Sequence, residues 1–211
     1  LAQAKLLGLF LRRVCCLCGG TGGIDGRLCG WCRLRLYPAS GGRIAGGAEV
    51  RSAFLHAGSG GALVRRLKFD GVRAAADAGA GLMAHRLEGW LARADLLVPM
   101  PLSRRRRRER GFNQARLLGA GLSRRLGIPL RDGLVREHRP SQVGMDRRSR
   151  RDNVRGAYRR RPGFAPAGTV CLVDDVVTTG SSIAEASEAL LNGGAGTVIG
   201  ATLTYRSPAC M

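Results

Sequence analysis

Residues 170–182 read V-C-L-V-D-D-V-V-T-T-G-S-S, and this stretch decides the fold class. Val170–Val173 is a short, uninterrupted apolar run, the pattern of a strand buried on both faces. It predicts Asp174 and Asp175 at the strand's carboxyl end, where open α/β sheets bind ligands. Thr178, Thr179, Gly180, Ser181 and Ser182 then lead into a helix over Ser181–Leu191, with Gly193 and Gly194 at its C-cap. Gly180 permits an unusual backbone dihedral, and the unpaired N–H groups of the helix start form a socket for an anion. The small hydroxylated side chains add donors without filling it.

Two carboxylates beside an anion socket repel a bare phosphate. They suit a ligand that carries hydroxyls between its anionic ends, because an ionised carboxylate only accepts hydrogen bonds. The turn therefore matches a phosphorylated sugar better than a free phosphate or a nucleobase. It is not a Walker A loop, since no G-K-[ST] follows the glycine, and the dinucleotide pattern G-x-G-x-x-G is absent from it. A capped helix behind a solvated Asp-Asp turn is the structural alternative.

Working outward, Leu96–Pro101 (L-L-V-P-M-P) is a second short apolar run, stopped by prolines. Phe112–Leu126 is helical, with Ala115, Leu118, Leu122 and Leu126 in phase. Leu134–Arg136 and Ala157–Arg160 are candidate strands around the polar excursion Glu137–Asp152, and Thr197–Thr204 is a further strand. Leu63, Val64 and Leu67 belong to one helix, Ala74–Ala92 to a longer one, and Leu6, Leu7, Phe10 and Leu11 to a short leading one. Ser40–Gly61 reads as a glycine-rich connection with an apolar patch at Val50–Leu55. Strands alternating with helices argue for an α/β fold with a largely parallel sheet.

The chain has 211 residues, enough for one core and a small appendage. Its formal charge of +20 calls for a polyanionic partner, a phosphorylated ligand or nucleic acid. No apolar run approaches the ~20 residues of a membrane helix. Leu6–Leu11 is followed by Arg12 and Arg13 and lacks a cleavage site, so a cytoplasmic setting without membrane insertion is the default.

Five of the seven cysteines fall between Cys15 and Cys32. Cys15-x-x-Cys18 and Cys29-x-x-Cys32 make two knuckles, and two short hairpins can offer zinc its four soft ligands. A segment this small and glycine-rich needs such a staple. Chance reduced thiols are the competing reading. Cys171, in the apolar strand, and Cys210 are expected to be inert.

Arg104–Arg108 with Arg110 forms a dense basic run. It is either a solvated face or a functional one, with Arg104 clamping an anion and the rest, joined by Arg147, Arg148, Arg150 and Arg151, tracking a nucleic-acid backbone. Aromatics for base stacking are few. Asn113 and Gln114 are placed to cap and orient the following helix rather than to read bases.

Taken together, C-C-L-C with C-G-W-C, L-V-R-R-L-K-F-D-G (63–71), V-P-M-P-L (98–102), R-E-R-G-F-N-Q-A (108–115), R-R-D-N-V-R-G-A-Y (150–158) and the 170–182 stretch resemble the ComF family of competence-associated, type I phosphoribosyltransferase-like proteins. The resemblance implies a phosphoribosyltransferase-like domain over residues 41–211, behind an N-terminal helix and four-cysteine zinc segment over residues 1–40. It implies binding of 5-phosphoribosyl-1-pyrophosphate (PRPP) with Mg²⁺. Asp174 and Asp175 would contact the ribose hydroxyls, and Val177, Thr178, Thr179, Gly180, Ser181 and Ser182 would hold the 5-phosphate. Met100, Pro101, Leu102, Ser103 and Arg104 would form the pyrophosphate loop, and Glu137–Asp152 the lid. Cys15, Cys18, Cys29 and Cys32 would hold a structural Zn²⁺. Two functions are compatible with this: pentosyl transfer from PRPP to an acceptor, or a silent sensing module that binds single-stranded DNA. The acceptor and the oligomeric state are not legible.

Overall fold

The computed structural model describes residues 14–21, 23, 27–69, 73–137 and 156–207. The expected leading helix, most of the lid segment, the arginines of residues 147–151 and Cys210 lie outside them. In chain order the described elements are α1 (Gly30–Leu34), β1 (Arg43–Ala45), β2 (Ala48–Leu55), α2 (Gly58–Phe69), α3 (Arg73–Arg86), α4 (Glu88–Leu91), β3 (Leu96–Pro99), α5 (Arg104–Arg110), α6 (Gln114–Leu126), β4 (Leu134–Arg136), β5 (Tyr158–Arg160), β6 (Thr169–Val177), α7 (Ser181–Leu191) and β7 (Thr197–Tyr205).

The main sheet runs β1-β2-β7-β6-β3. β2, β7, β6 and β3 are mutually parallel, and only the edge strand β1 is antiparallel, to β2. β4 and β5 form a separate antiparallel pair. This is the α/β fold with a mostly parallel sheet that the alternation of elements required. A buried cluster on one face joins Leu63 and Leu67 of α2, Met83 of α3, Leu118 and Leu122 of α6 with Cys171 and Val173 of β6. The other face carries Ile183, Ala186 and Leu190 of α7 against Val170 and Leu172. Both faces of β6 are covered, which is why its sequence is a continuous apolar run rather than an alternating one. Helices α3 and α6 approach closely because Gly121 faces Ala80, where any side chain would collide with the alanine methyl.

Four expectations change. Ser40–Gly61 is not a connection: Ala48–Leu55 is strand β2, paired with β7 along most of its length, and β1 precedes it. Ala74–Ala92 is not one helix, since α3 ends at Arg86 and a short α4 follows, whose Trp90 donates its Nε1 proton to the Gly200 carbonyl at 3.0 Å. β3 stops at Pro99, before the second proline. The strand after Thr169 runs on to Val177, so Asp174 and Asp175 lie inside it rather than beyond its end.

The cysteine segment has no core of its own. Cys15, Leu28, Cys29 and Cys32 are buried in the same cluster as Leu63, Leu67 and Trp90. Arg66 of α2 donates to the Leu17 carbonyl at 3.3 Å, and Arg27 reaches Asp77 of α3 at 3.2 Å. No helix among the described residues is long and apolar enough to cross a membrane.

Candidate functional site

β3 and β6 lie side by side with Pro99 opposite Val173. That register sets Met100 and the residues after it level with Asp174, so the two segments singled out from sequence emerge together at the carboxyl edge of the sheet. The Met100 amide donates to the Val173 carbonyl at 2.9 Å. Asn113, the N-cap of α6, accepts from the Ala115 amide and donates through Nδ2 to the Met100 carbonyl, both at 3.0 Å. Its amide is thus committed to holding the loop, as its place at the helix start predicts. Ser103 caps α5 by accepting from the Arg106 amide at 3.4 Å, leaving Pro101–Ser103 half-buried and Arg104 exposed.

On the other strand, Gly180 is the N-cap of α7 with φ +81°, ψ −3°. A side chain there is excluded twice over: the dihedral is left-handed, and a Cβ would lie 2.7 Å from the Cβ of Ala45. Gly180 offers no side-chain cap, and the Thr179 hydroxyl reaches the Ser181 amide only at 3.5 Å. The first-turn amides of α7 therefore face the turn with their dipoles aligned, the arrangement that attracts an anion. Thr179 is exposed, its hydroxyl 2.9 Å from that of Ser181, and Thr178, Ser181 and Ser182 are half-buried. The turn is open.

The two carboxylates part company. Successive strand residues face opposite sides of a sheet. Asp175, buried, turns to the α2 face, where its Oδ2 lies 2.9 Å from Lys68 Nζ. That pair is close without hydrogen-bond alignment, so among the described residues Oδ2 remains a buried acceptor with no hydrogen-bond donor. Asp174 turns to the α7 face, shared with Tyr158, Ser182 and Glu185. Its Oδ1 accepts from the Asp175 amide at 2.8 Å. Asp174 is thus the acid on the side of α7, and Asp175 is held beneath the sheet edge by a lysine.

Burial, then the charge of Asp175, pushes the Asp174 carboxyl well above the usual carboxylate range. A raised acid pKa disfavours the ionised form, so its contribution to stability is present at low pH and lost as pH rises through the folded value. Asp174→Asn is expected to raise the melting temperature at pH 8 and to change little at pH 3, where the wild-type carboxyl is protonated in both states. Thermal melts across pH test this, and equal shifts at both pH values would exclude the burial account.

Sequence reading missed the groups behind Asp175. Thr204 Oγ1 donates to the Asp175 carbonyl at 3.3 Å and lies 2.9 Å from His56 Nδ1. Burial, followed by the charges of Lys68 and Arg206, lowers the His56 pKa. The Arg43 guanidinium stacks 3.2 Å above the Tyr205 ring, and its buried Nη1 has no hydrogen-bond partner among the described residues. The available signal was Lys68 itself, one of only two lysines in a chain whose other basic residues are arginines or histidines.

The sulfurs of Cys15, Cys18, Cys29 and Cys32 all lie within 4.8 Å of one another, close enough for one metal ion. Burial alone would raise the Cys15 thiol, but the amides of Cys18, Cys29 and Leu17 outweigh it and bring its pKa down to about 6. Amide donors that favour a thiolate favour the form that binds metal. Cys16 is not among the four. Cys171 is fully buried with its pKa pushed up to about 12, as an inert core thiol should be.

Fold and site thus define an α/β protein with an open anion-type turn at the carboxyl edge of a parallel sheet and a four-thiol knuckle packed on its core. No family model matches the chain. It is similar to competence protein F of Haemophilus influenzae, 39% identical over 100 residues that make up 46% of this chain and 44% of that one. The DNA utilization protein YhgH of Escherichia coli K12 is 40% identical over 119 residues (56% and 52%), and competence protein ComFC of Bacillus subtilis 32% over 112 (53% and 45%). The resemblance to ComF-type competence proteins is therefore shown, and the chain spans about half the length of these curated relatives. Among solved structures, orotate phosphoribosyltransferase from Aeropyrum pernix matches with a TM-score of 0.37 and 22% identity, over 62% of this chain and 60% of that one. Purine phosphoribosyltransferase from Pyrococcus horikoshii matches at 0.37 and 17%, over 62% and 82%.

Proposed function

We propose that the chain is a phosphoribosyltransferase-like protein linked to DNA uptake or utilization, which binds PRPP and transfers its pentosyl group to an acceptor. The observation that carries this reading is the turn at Thr178–Ser182, with its obligatory glycine and a helix start that the glycine N-cap leaves without a side-chain cap of its own, at the same carboxyl edge of the sheet as the loop Met100–Arg104 that follows β3. In this reading the turn holds the 5-phosphate and Asp174 accepts from a ribose hydroxyl. The loop from Met100 to Arg104 faces the pyrophosphate. Transfer breaks the C1–O bond to pyrophosphate as a bond from the acceptor to C1 forms. The chain's own contribution is to position the sugar and to present fixed N–H donors and Arg104 to the leaving charge. Mg²⁺ would arrive with the pyrophosphate and offset its charge. Asp175, paired with Lys68 on the α2 face, would act from behind the turn, its charge balanced by the lysine. Residues 1–40 would form the metal-bearing segment and 41–211 the transferase-like domain, with zinc in the four-thiol site.

Calorimetric titration with PRPP and Mg²⁺ tests the binding step. Gly180→Ala should weaken PRPP at least about tenfold, since a side chain there must displace Ala45 and distort the turn. Unchanged affinity in that variant would sink the site, and no affinity at millimolar PRPP would sink the whole reading. Pyrophosphate release in the presence of candidate bases separates a working transferase from a silent one. The second reading, a silent sensor that binds single-stranded DNA, draws on the exposed arginines of α5. PRPP binding without pyrophosphate release, together with salt-sensitive binding of single strands, would favour it.

A further inference from the structure

Beyond the turn, five arginines converge on a cleft of about 640 Å³ at the base of the β4–β5 pair. Arg104 and Arg107 enter it from one face of α5, Arg116 from α6, Arg136 from β4, and Arg161 from the residue after β5. Two acids share the lining. Asp132 is taken by Arg116 at 2.8 Å, and Glu137 by Arg159, which does not line the cleft, at 3.1 Å. Among the described residues Arg104, Arg107, Arg136 and Arg161 have no carboxylate partner, and Arg136 instead rests over the Tyr158 ring at 5.4 Å. Guanidiniums gathered around one concavity without counter-charges repel one another, a cost that a bound polyanion removes.

Size and lining narrow the ligand. The volume falls in the range of about 300–1,000 Å³ typical of small-molecule sites, larger than one phosphate needs. Pro99, Pro101 and Leu134 supply an apolar wall for an uncharged part. Among the described residues no aromatic ring lines the cleft, so it lacks the platforms on which single strands stack successive bases. The two acids also interrupt any continuous basic track. None of Asp174–Ser182 lines it.

We propose that this cleft is a second anion site that binds a nucleoside di- or triphosphate, its phosphates on Arg107, Arg136 and Arg161 and its base against the proline and leucine wall. The cleft shares Pro101, Leu102 and Arg104 with the loop proposed to face pyrophosphate, so the test rests on Arg107 and Arg161, which lie outside that loop. The experiment is titration of the full chain with ADP and with ATP, alongside PRPP and Mg²⁺. Arg107→Ala/Arg161→Ala, at two positions outside the turn and its neighbouring loop, should weaken ADP at least about tenfold, the loss of two charge-assisted contacts, while leaving PRPP affinity unchanged. Lysine at both positions should restore part of the loss. Gly180→Ala should do the reverse, weakening PRPP and sparing ADP. ADP affinity unchanged in the double variant would overturn the proposal, as would its loss in Gly180→Ala, which would place the nucleotide in the turn. Binding confined to single strands, with none of either nucleotide, would overturn it too. If PRPP fails to bind while ADP binding depends on Arg107 and Arg161, the proposed function falls and the second site stands.

Discussion

Lys68→Met is expected to lower the stability of the ligand-free protein by about 3–5 kcal/mol, the cost of leaving one member of a buried ion pair unpaired. The lower end applies here, because the Lys68 side chain keeps 22% of its exposure while Asp175 keeps 10%. In the variant a carboxylate with no donor on Oδ2 faces methionine beneath the carboxyl edge of the sheet. At about 2–4 °C per kcal/mol for a chain of this size, the melting temperature should fall clearly. Asp175→Asn should be milder, since a long lysine side chain can turn its ammonium to water. Lys68→Met/Asp175→Asn should recover most of the loss, because neither charge then remains buried. A double-mutant cycle by denaturant unfolding measures the coupling. If Lys68→Met and the double variant prove equally destabilised, lysine packing rather than charge pairing holds this corner.

With zinc in the four-thiol site, as proposed, its removal should have an effect of similar or greater size. Structural zinc contributes roughly 10–16 kcal/mol to the folding of isolated finger peptides. In this chain the sheet retains its own core, so the loss is partial. It is still substantial, because Cys15, Leu28, Cys29 and Cys32 are packed into the cluster that also holds Leu63, Leu67 and Trp90. Cys29→Ala should abolish metal content by elemental analysis. It should also lower the melting temperature by about 10 °C, the equivalent of some 3–4 kcal/mol. A strong chelator should reproduce the drop in the wild type and add nothing in the variant. Cys16→Ser, outside the four, should keep the metal. Purified protein free of metal, with Cys29→Ala melting at the wild-type temperature, would end the metal assignment.

The two effects meet in one place. α2 carries Leu63 and Leu67 toward the knuckle, Arg66 to the Leu17 carbonyl and Lys68 to Asp175. Loosening the knuckle therefore removes support from the helix that neutralises the acid beneath the proposed site. Cys29→Ala should weaken ligand binding as well as stability, although no cysteine lines the turn.

Which elements were legible follows from how local their signals are. Ser181–Leu191 and Leu134–Arg136 occur as expected, because periodicity and short β-prone runs mark them within a few residues. β2 was hidden by the glycines around it. Its alternation is short, with Ala48 and Val50 buried and Glu49 and Arg51 turned outward before Ser52–Phe54 are buried in succession, and pairing with β7 makes it a strand. The break at Leu87 falls two residues before Gly89, and α4 turns away there to bring Trp90 to the Gly200 carbonyl.

The sequence by itself determined the strands β3, β6 and β7 with helices α6 and α7 between them, the anion-type turn with its glycine, and the four-cysteine cluster. All of these depend on residue types close together in the chain, the cysteines running from Cys15 to Cys32. Tertiary structure alone decided how far β6 runs, and hence that its two acids face opposite ways. It also decided that Lys68 meets Asp175, that the knuckle is part of the main core, and that five scattered arginines share one cleft. Each of those depends on contacts between segments distant in the chain, and burial and charge pairing across such distances leave no periodic trace in the residues that make them.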